Sequence, residues 1–177
     1  MPDNLRIVQA QSADFDRYID VMEEVSDWLK SRGIEQWWPH GGFRRYAEYY
    51  AESLRKGEAY LVFLDNDLVG AFRLLAVDDD VWPGAPADAL YLYGLAVRRN
   101  WSGREIGRRV LDWVEQQSAR VGKTYVRLDC FANNPVLRKY YENAGYASRG
   151  EVDVEYDFGT LRLQRYEKRK LGTEEKV

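Results

Sequence analysis

LYLYGLAVRRNWSGREIGRRVL, residues 90–111, is the stretch whose reading decides the fold. Its apolar and aromatic opening, LYLYGLAV, predicts a buried strand. The strand stops at a polar turn, RRNWSG, and a helical pattern follows, with Ile106, Val110, Leu111, Trp113 and Val114 as its apolar positions. A strand, a glycine-bearing turn and a basic helix start are together the parts of an anion site. The first backbone N–H groups of a helix have no partner within it, and the helix dipole adds partial positive charge there. Gly103 and Gly107 are expected to leave the backbone open to a ligand, while Arg104, Arg108 and Arg109 add full charges. An ordinary strand–helix connection with a solvated basic face is the competing reading of the same residues.

Two familiar phosphate loops are excluded. A Walker loop ends in Gly-Lys-Ser/Thr, and none follows here. A dinucleotide fingerprint needs Gly-x-Gly-x-x-Gly in a βαβ unit, which is also missing. A second informative segment is TYVRLDCFANNPVLRKYYENAGY, residues 124–146. Val126, Leu128 and Cys130 alternate with Arg127 and Asp129, predicting a strand with one buried face. Asn133-Asn134-Pro135 reads as a turn and helix start, with Pro135 suited to the first helical position. The helix carries Leu137, Tyr140, Tyr141 and Ala144, and Gly145 ends it as a left-handed cap.

In this order the two segments resemble the Gcn5-related N-acetyltransferases (GNAT). The family's first motif is a strand ending apolar-apolar-Val, then Arg/Gln-x-x-Gly-x-Gly/Ala. It is matched by Leu95-Ala96-Val97 and by Ser102-Gly103-Arg104-Glu105-Ile106-Gly107. Ser102 stands where the family usually has Arg or Gln, and Glu105 where it usually has Gly. The second motif, a strand, an Asn, a Tyr seven residues on, then Glu-x-x-Gly-Phe/Tyr, is matched by Asn134, Tyr141, Glu142, Gly145 and Tyr146. The resemblance implies an α/β (α+β) fold: a mixed central sheet of about seven strands flanked by four helices, with two central strands splayed into a wedge. It implies acetyl-CoA as cosubstrate, held by Leu95, Ala96, Val97, residues 102–108 (Ser102 through Arg108), Asn134 and Tyr141, with no metal. A carboxylate about 4 Å from a phosphate costs on the order of 1 kcal/mol even in water, so the Glu105 side chain is expected to turn outward. The implied reaction is direct transfer of acetyl to a primary amine of a small molecule in a ternary complex. Ser102 and Glu105 keep open a second reading, a binding or sensor module whose donor loop has decayed. A protein-lysine or N-terminal acetyltransferase is a third.

The chain of 177 residues suits one domain, expected over residues 1–172 with a loose tail at 173–177. Its net charge of −3 offers no nucleic-acid surface, so the basic loop is a local feature. One cysteine rules out an internal disulfide. There is no long apolar run and no signal-peptide pattern, so a cytoplasmic protein without membrane contact is expected, monomeric or homodimeric. Residues 5–10 read as the first strand, and Ser12 as N-cap of a helix presenting Phe15, Tyr18, Ile19, Met22, Val25 and Leu29. Residues 34–42 form a link. A second helix carries Phe43, Tyr46, Ala47, Tyr50 and Leu54 and stops at Gly57. Residues 59–64 and 68–77 are strands of a hairpin, residues 78–88 an acidic loop, and residues 147–152 and 161–169 a closing strand pair. The order is β-α-α-β-β-β-α-β-α-β-β.

Acetyl transfer needs an aligned donor and acceptor, a hydrogen-bond donor for the forming oxyanion, and two proton movements. The resemblance places the oxyanion donor on the backbone near Leu95 and the general acid at Tyr141, whose phenol (pKa of about 10) stays protonated at neutral pH. Simple aromatic packing is the bland reading of Tyr141 and the preferred one for Tyr140; helix capping is that of Asn134. The central strand has no acidic side chain, leaving Glu23, Glu24, Asp27, Glu35 and Asp129, or a water relay, as candidates for the base. His40 reads as a loop residue and Cys130 as a small buried hydrophobe. Trp28, Trp37, Trp38 and Trp82, with Asp78–Asp80 and the first helix's acids, point to a cationic acceptor such as a polyamine, an aminoglycoside or an amino-acid derivative. The competing reading makes these tryptophans staples between helices and sheet.

Overall fold

The computed structural model describes residues 4–34 and 42–169. Glu35, Trp37, Trp38, His40 and the tail at 173–177 lie outside the described residues. The elements are β1 (Leu5–Gln9), α1 (Phe15–Ser31), α2 (Ala47–Arg55), β2 (Ala59–Leu64), β3 (Asp67–Leu75), β4 (Ala89–Val97), α3 (Ile106–Arg120), β5 (Tyr125–Phe131), α4 (Pro135–Asn143), β6 (Ala147–Tyr156) and β7 (Gly159–Arg169). They form a seven-stranded sheet in the order β1-β2-β3-β4-β5-β7-β6. Only β4 and β5 run parallel; the other neighbours are antiparallel.

Strand alternation sends side chains to two differently covered faces. On one face, Val62, Phe72, Leu92, Val126 and Leu128 pack against Ile106, Val110, Leu111 and Val114 of α3 and against Tyr141 of α4. On the other, Leu61, Phe63, Ala71 and Ala96 pack against Tyr18, Ile19, Met22 and Val25 of α1 and Leu54 of α2. A fully buried side chain of this size contributes roughly 1.5–3 kcal/mol relative to exposure, so the helices are held by these faces rather than by helix propensity.

Three sequence expectations change at the periphery. Ser12 does not cap α1: residues Ser12–Asp14 form a 3-10 turn, and the Gln11 backbone N–H donates to Asp14 Oδ2 at 3.0 Å. The closing strands run longer than 147–152 and 161–169, because Val152 and Val154 continue the alternation to a tight turn at Asp157-Phe158. The acidic loop is anchored to the sheet, where Val81 and Trp82 bury themselves on Tyr91, Val154 and Leu163. Beneath Trp82 lies Arg127, paired with Glu167 at 2.7 Å and Asp88 at 3.1 Å. Both faces of β5 are therefore covered, where one was expected.

Two backbone positions are sensitive. Glu105 precedes α3 with φ +59°, in the left-handed region, and its side chain is exposed. Residues with a Cβ pay about 1–2 kcal/mol there, whereas glycine does not. Gly70 of β3 is buried, and a Cβ on it would sit 2.6 Å from the Ala96 carbonyl oxygen of β4. We expect Glu105→Gly to raise unfolding free energy by up to about 1 kcal/mol; an unchanged or lower value in a urea titration would contradict the strain. Gly70→Ala should lose about 1–3 kcal/mol in the same titration, because backbone cannot move aside as a side-chain tip can.

Candidate active site

β4 and β5 pair from Ala89↔Tyr125 to Leu92↔Leu128 and then part. β4 goes on along β3 to Val97, and β5 along β7 to Phe131. The parting coincides with a bulge. Between Ala71↔Ala96 and Arg73↔Tyr93, β4 takes three steps where β3 takes two. An extra residue bends and twists its strand. Gly94 makes the bend with φ +59°, and the Met22 methyl of α1 lies 3.1 Å from where a Cβ would be. Leu95 sits inside this bulge. From Tyr93 on, β4 has no strand partner on its β5 side, so its backbone polar groups there are available to a ligand.

The α3/α4 face of this gap leads into the basic loop. Gly103 has φ +79° with open space around it. No side chain caps the N-terminus of α3, so its first N–H groups keep their anion-binding capacity. Arg98 is tied to Glu24 of α1 at 2.6 Å, the Arg99 guanidinium lies 3.6 Å over the Trp28 ring, and that of Arg104 lies 4.7 Å over Trp101. Arg108 bonds Asp112 at 3.1 Å, which offsets part of its charge. Ser102 is exposed, and Ile106 anchors the helix start in the core. Gly107 serves a neighbour rather than a ligand: a Cβ there would meet the Tyr140 hydroxyl at 2.6 Å. Asn134 caps α4 by accepting from the Leu137 N–H at 3.1 Å. It also lines a cavity of ≈ 390 Å³ between the end of α1 and the start of α4, with Gly33, Ile34, Asn133, Pro135 and Val136.

Tyr141 is buried among the rings of Tyr140, Tyr146 and Tyr166, with centroids 5.4, 6.2 and 5.9 Å away. Burial raises its pKa above the usual phenol value, and Cys130, Tyr140 and Asp129 add to the effect. The packing reading and a protonated phenol are thus both true of this side chain. Cys130 is buried, and burial pushes its thiol up to about 12, well away from a thiolate nucleophile.

Asp129 faces the gap from the opposite side. Burial, and secondarily the charge of Asp78, pushes its carboxyl up to about 7. Among the described residues no cation pairs with it. Its cross-strand neighbour Arg165 turns away to the carbonyl oxygens of Val81 and Arg149. Beside it the Tyr93 hydroxyl donates a short hydrogen bond to Asp78, whose own carboxyl is raised by burial. Tyr156 completes the group; burial first, then Asp129 and Asp78, raise its phenol.

The other candidate bases lie elsewhere. Glu23 is paired with Arg44 at 3.2 Å, Glu24 with Arg98, and Asp27 is exposed on α1. Trp28 and Trp82 are occupied by arginines of the chain itself, so for these two the stapling reading holds. Asp78 alone of the acidic trio is buried; Asp79 and Asp80 are exposed. The sequence reading missed Tyr93 and Arg73 as polar members of this face. Their one signal was a tyrosine and an arginine inside otherwise apolar strands. Among the described residues there is no metal-binding cluster of His, Cys, Asp and Glu, and no helix long and apolar enough to cross a membrane.

This geometry can be set beside known proteins. The chain is 29% identical over 144 residues to a Bacillus subtilis (strain 168) protein named uncharacterized N-acetyltransferase YesJ, covering 77% of this chain and 78% of that one. An acetyltransferase of the GNAT family from Listeria monocytogenes 4b F2365 superposes with TM-score 0.75 at 24% identity, over 93% of this chain and 94% of that one. The yncA protein of Salmonella typhimurium, a putative acetyltransferase solved with its cofactor acetyl-CoA, superposes with TM-score 0.66 at 15% identity, over 96% and 95%. The sequence pattern of the acetyltransferase (GNAT) family matches residues 21–146, which takes in the later part of α1, the bulged β4, the basic loop and the Asn134–Tyr146 unit. The chain belongs to the GNAT family and is an N-acetyltransferase of that fold.

Proposed function

We propose that this enzyme transfers acetyl from acetyl-CoA directly to the primary amine of a small molecule, both substrates being held in the gap between β4 and β5. The observation that carries this reading is the placement of two titratable groups on opposite faces of one opening: Tyr141 on the α3 and α4 side, Asp129 on the side of the 78–88 loop and the β6–β7 hairpin.

The residues fit the cosubstrate. Uncapped N–H groups of α3 and the guanidinium of Arg104 suit the pyrophosphate. The backbone of Leu95, Ala96 and Val97 suits the pantetheine arm by strand-like hydrogen bonds, and Asn134 borders the adjoining cavity. Glu105 is exposed, so water screens its carboxylate at the helix start. The helix start and the glycine turn are both formed despite the left-handed Glu105, which supports an intact rather than a decayed loop.

In this scheme Asp129 removes a proton from the acceptor's ammonium group. The freed lone pair attacks the thioester carbonyl carbon, and the oxyanion meets backbone N–H at the bulge near Leu95. The tetrahedral intermediate collapses, the C–S bond breaks as Tyr141 donates its proton to the departing sulfur, and the second proton of the attacking nitrogen passes, directly or through water, to the tyrosinate, leaving a neutral amide and a restored phenol. A base near pKa 7 is about half ionised at neutral pH, where basicity and availability are balanced.

Thiol release from acetyl-CoA across an amine panel, with mass spectrometry of the product, tests the activity. Peptide amines as the sole good acceptors would overturn the small-molecule assignment. Tyr141→Phe should lower kcat about 10²-fold with donor affinity little changed; an unaltered rate would remove the acid role. For the wild type, kcat/KM should fall on the acid side as Asp129 is protonated below about pH 7. Asp129→Asn should lose about 10²-fold and flatten that limb; an unchanged profile would return the base to water.

A further inference from the structure

Arg73 of β3 is a buried cation without a counter-charge. It is 7% exposed. Its Nη1 donates to the Tyr49 hydroxyl and to Ser53 Oγ, both at 2.9 Å. Its guanidinium lies 4.8, 5.4 and 5.5 Å from the ring centres of Tyr49, Tyr50 and Tyr93. These are neutral groups, and no carboxylate pairs with Arg73 among the described residues. Hydroxyls and ring faces solvate a guanidinium only in part, so a buried cation so placed is strongly unfavourable unless an anion joins it.

A second orphan sits beside it. Tyr18 of α1 is wholly buried, and its hydroxyl has no hydrogen-bond partner among the described residues. Arg73 is the leading charge acting on that phenol. Two donors from different elements, a guanidinium whose hydrogen bonds go to neutral hydroxyls and an unsatisfied phenol, thus stand against the same Tyr50 ring. Tyr93 connects them to the gap: its ring flanks Arg73, and its hydroxyl meets Asp78, whose charge is felt at Asp129.

We propose that Arg73 and Tyr18 form a subsite for a carboxylate carried by the acceptor, so that the acceptor is an amino acid. This deepens the preceding reading of the α1 side of the gap and rests on it. The planar guanidinium fork matches a carboxylate, the tyrosine rings of the cage line the path between, and Asp129 with Asp78 receives the ammonium end. A polyamine or an aminoglycoside brings no anion to Arg73 and leaves both orphans unsatisfied.

The test is calorimetric titration of the CoA-loaded full-length protein with the twenty common α-amino acids, a series of ω-amino acids, and their carboxamides. At least one free amino acid should bind, and its carboxamide should bind about tenfold or more weakly. Arg73→Gln should abolish that preference. Tyr18→Phe guards against loss of fold: removing an unsatisfied buried hydroxyl should leave the melting temperature unchanged or raised, while the free-acid preference shrinks. No binding of any amino acid, or a preference untouched by Tyr18→Phe and Arg73→Gln, would overturn the subsite. Failure of the parent reading shows separately, as no thiol release with any amine.

Discussion

The parting of β4 from β5 is the constraint on which the rest of this molecule depends. A parallel pair that stayed in register to its end would close the sheet and leave no place for two reactants. Each strand is instead held by its other neighbour, β4 by β3 and β5 by β7. Those antiparallel ladders carry the strands in diverging directions once the β4 bulge has added its extra residue. Gly94 permits the bend, and the Met22 methyl packed against it denies the space to any larger residue.

The opening explains the electrostatics around it. Side chains that would be ordinary core in a closed sheet become walls of a narrow cleft: low dielectric on one side, no partner strand on the other. Burial raises Asp129 and Tyr141 alike, but with opposite chemical results. The carboxyl becomes a better base near neutral pH, while the phenol is held in its protonated form until the departing thiolate presents a base. Arg73 is the third buried polar group on these walls, and its cage of tyrosines holds it without neutralising it. By contrast, Arg127 has Glu167 and Asp88, and it serves the packing of the 78–88 loop under Trp82. The same residue type, on the strands either side of β4, is paired with carboxylates in one case and with neutral hydroxyls and rings in the other.

Much of this was legible in the sequence wherever a signal was local. The apolar run ending at Val97, the Gly103 turn and the helix periodicity after it lie within one stretch, and the element order follows from similar stretches. Even Glu105 was marked as unusual by position, and its φ of +59° gives the reason glycine is favoured there. What escaped was non-local. Asp129 stood among five candidate bases with nothing to single it out, because the covering of its face comes from a loop some fifty residues earlier and a hairpin after it. Arg73 acquires its meaning from Tyr49, Tyr50 and Ser53 on α2 and Tyr18 on α1, none of which its own strand announces. Gly107 was read as room for a ligand, whereas the Tyr140 hydroxyl, more than thirty residues away, is what occupies that room.

The central claim is that one gap holds donor and acceptor together, with no covalent stop on the enzyme between them. Burial keeps Cys130, the single cysteine, in its thiol form. Initial-velocity kinetics test the claim most directly, with acetyl-CoA and an accepted amine varied against each other. The account predicts double-reciprocal lines that intersect, as a ternary complex requires. Parallel lines, with acetyl-enzyme accumulating when the acceptor is withheld, would contradict it.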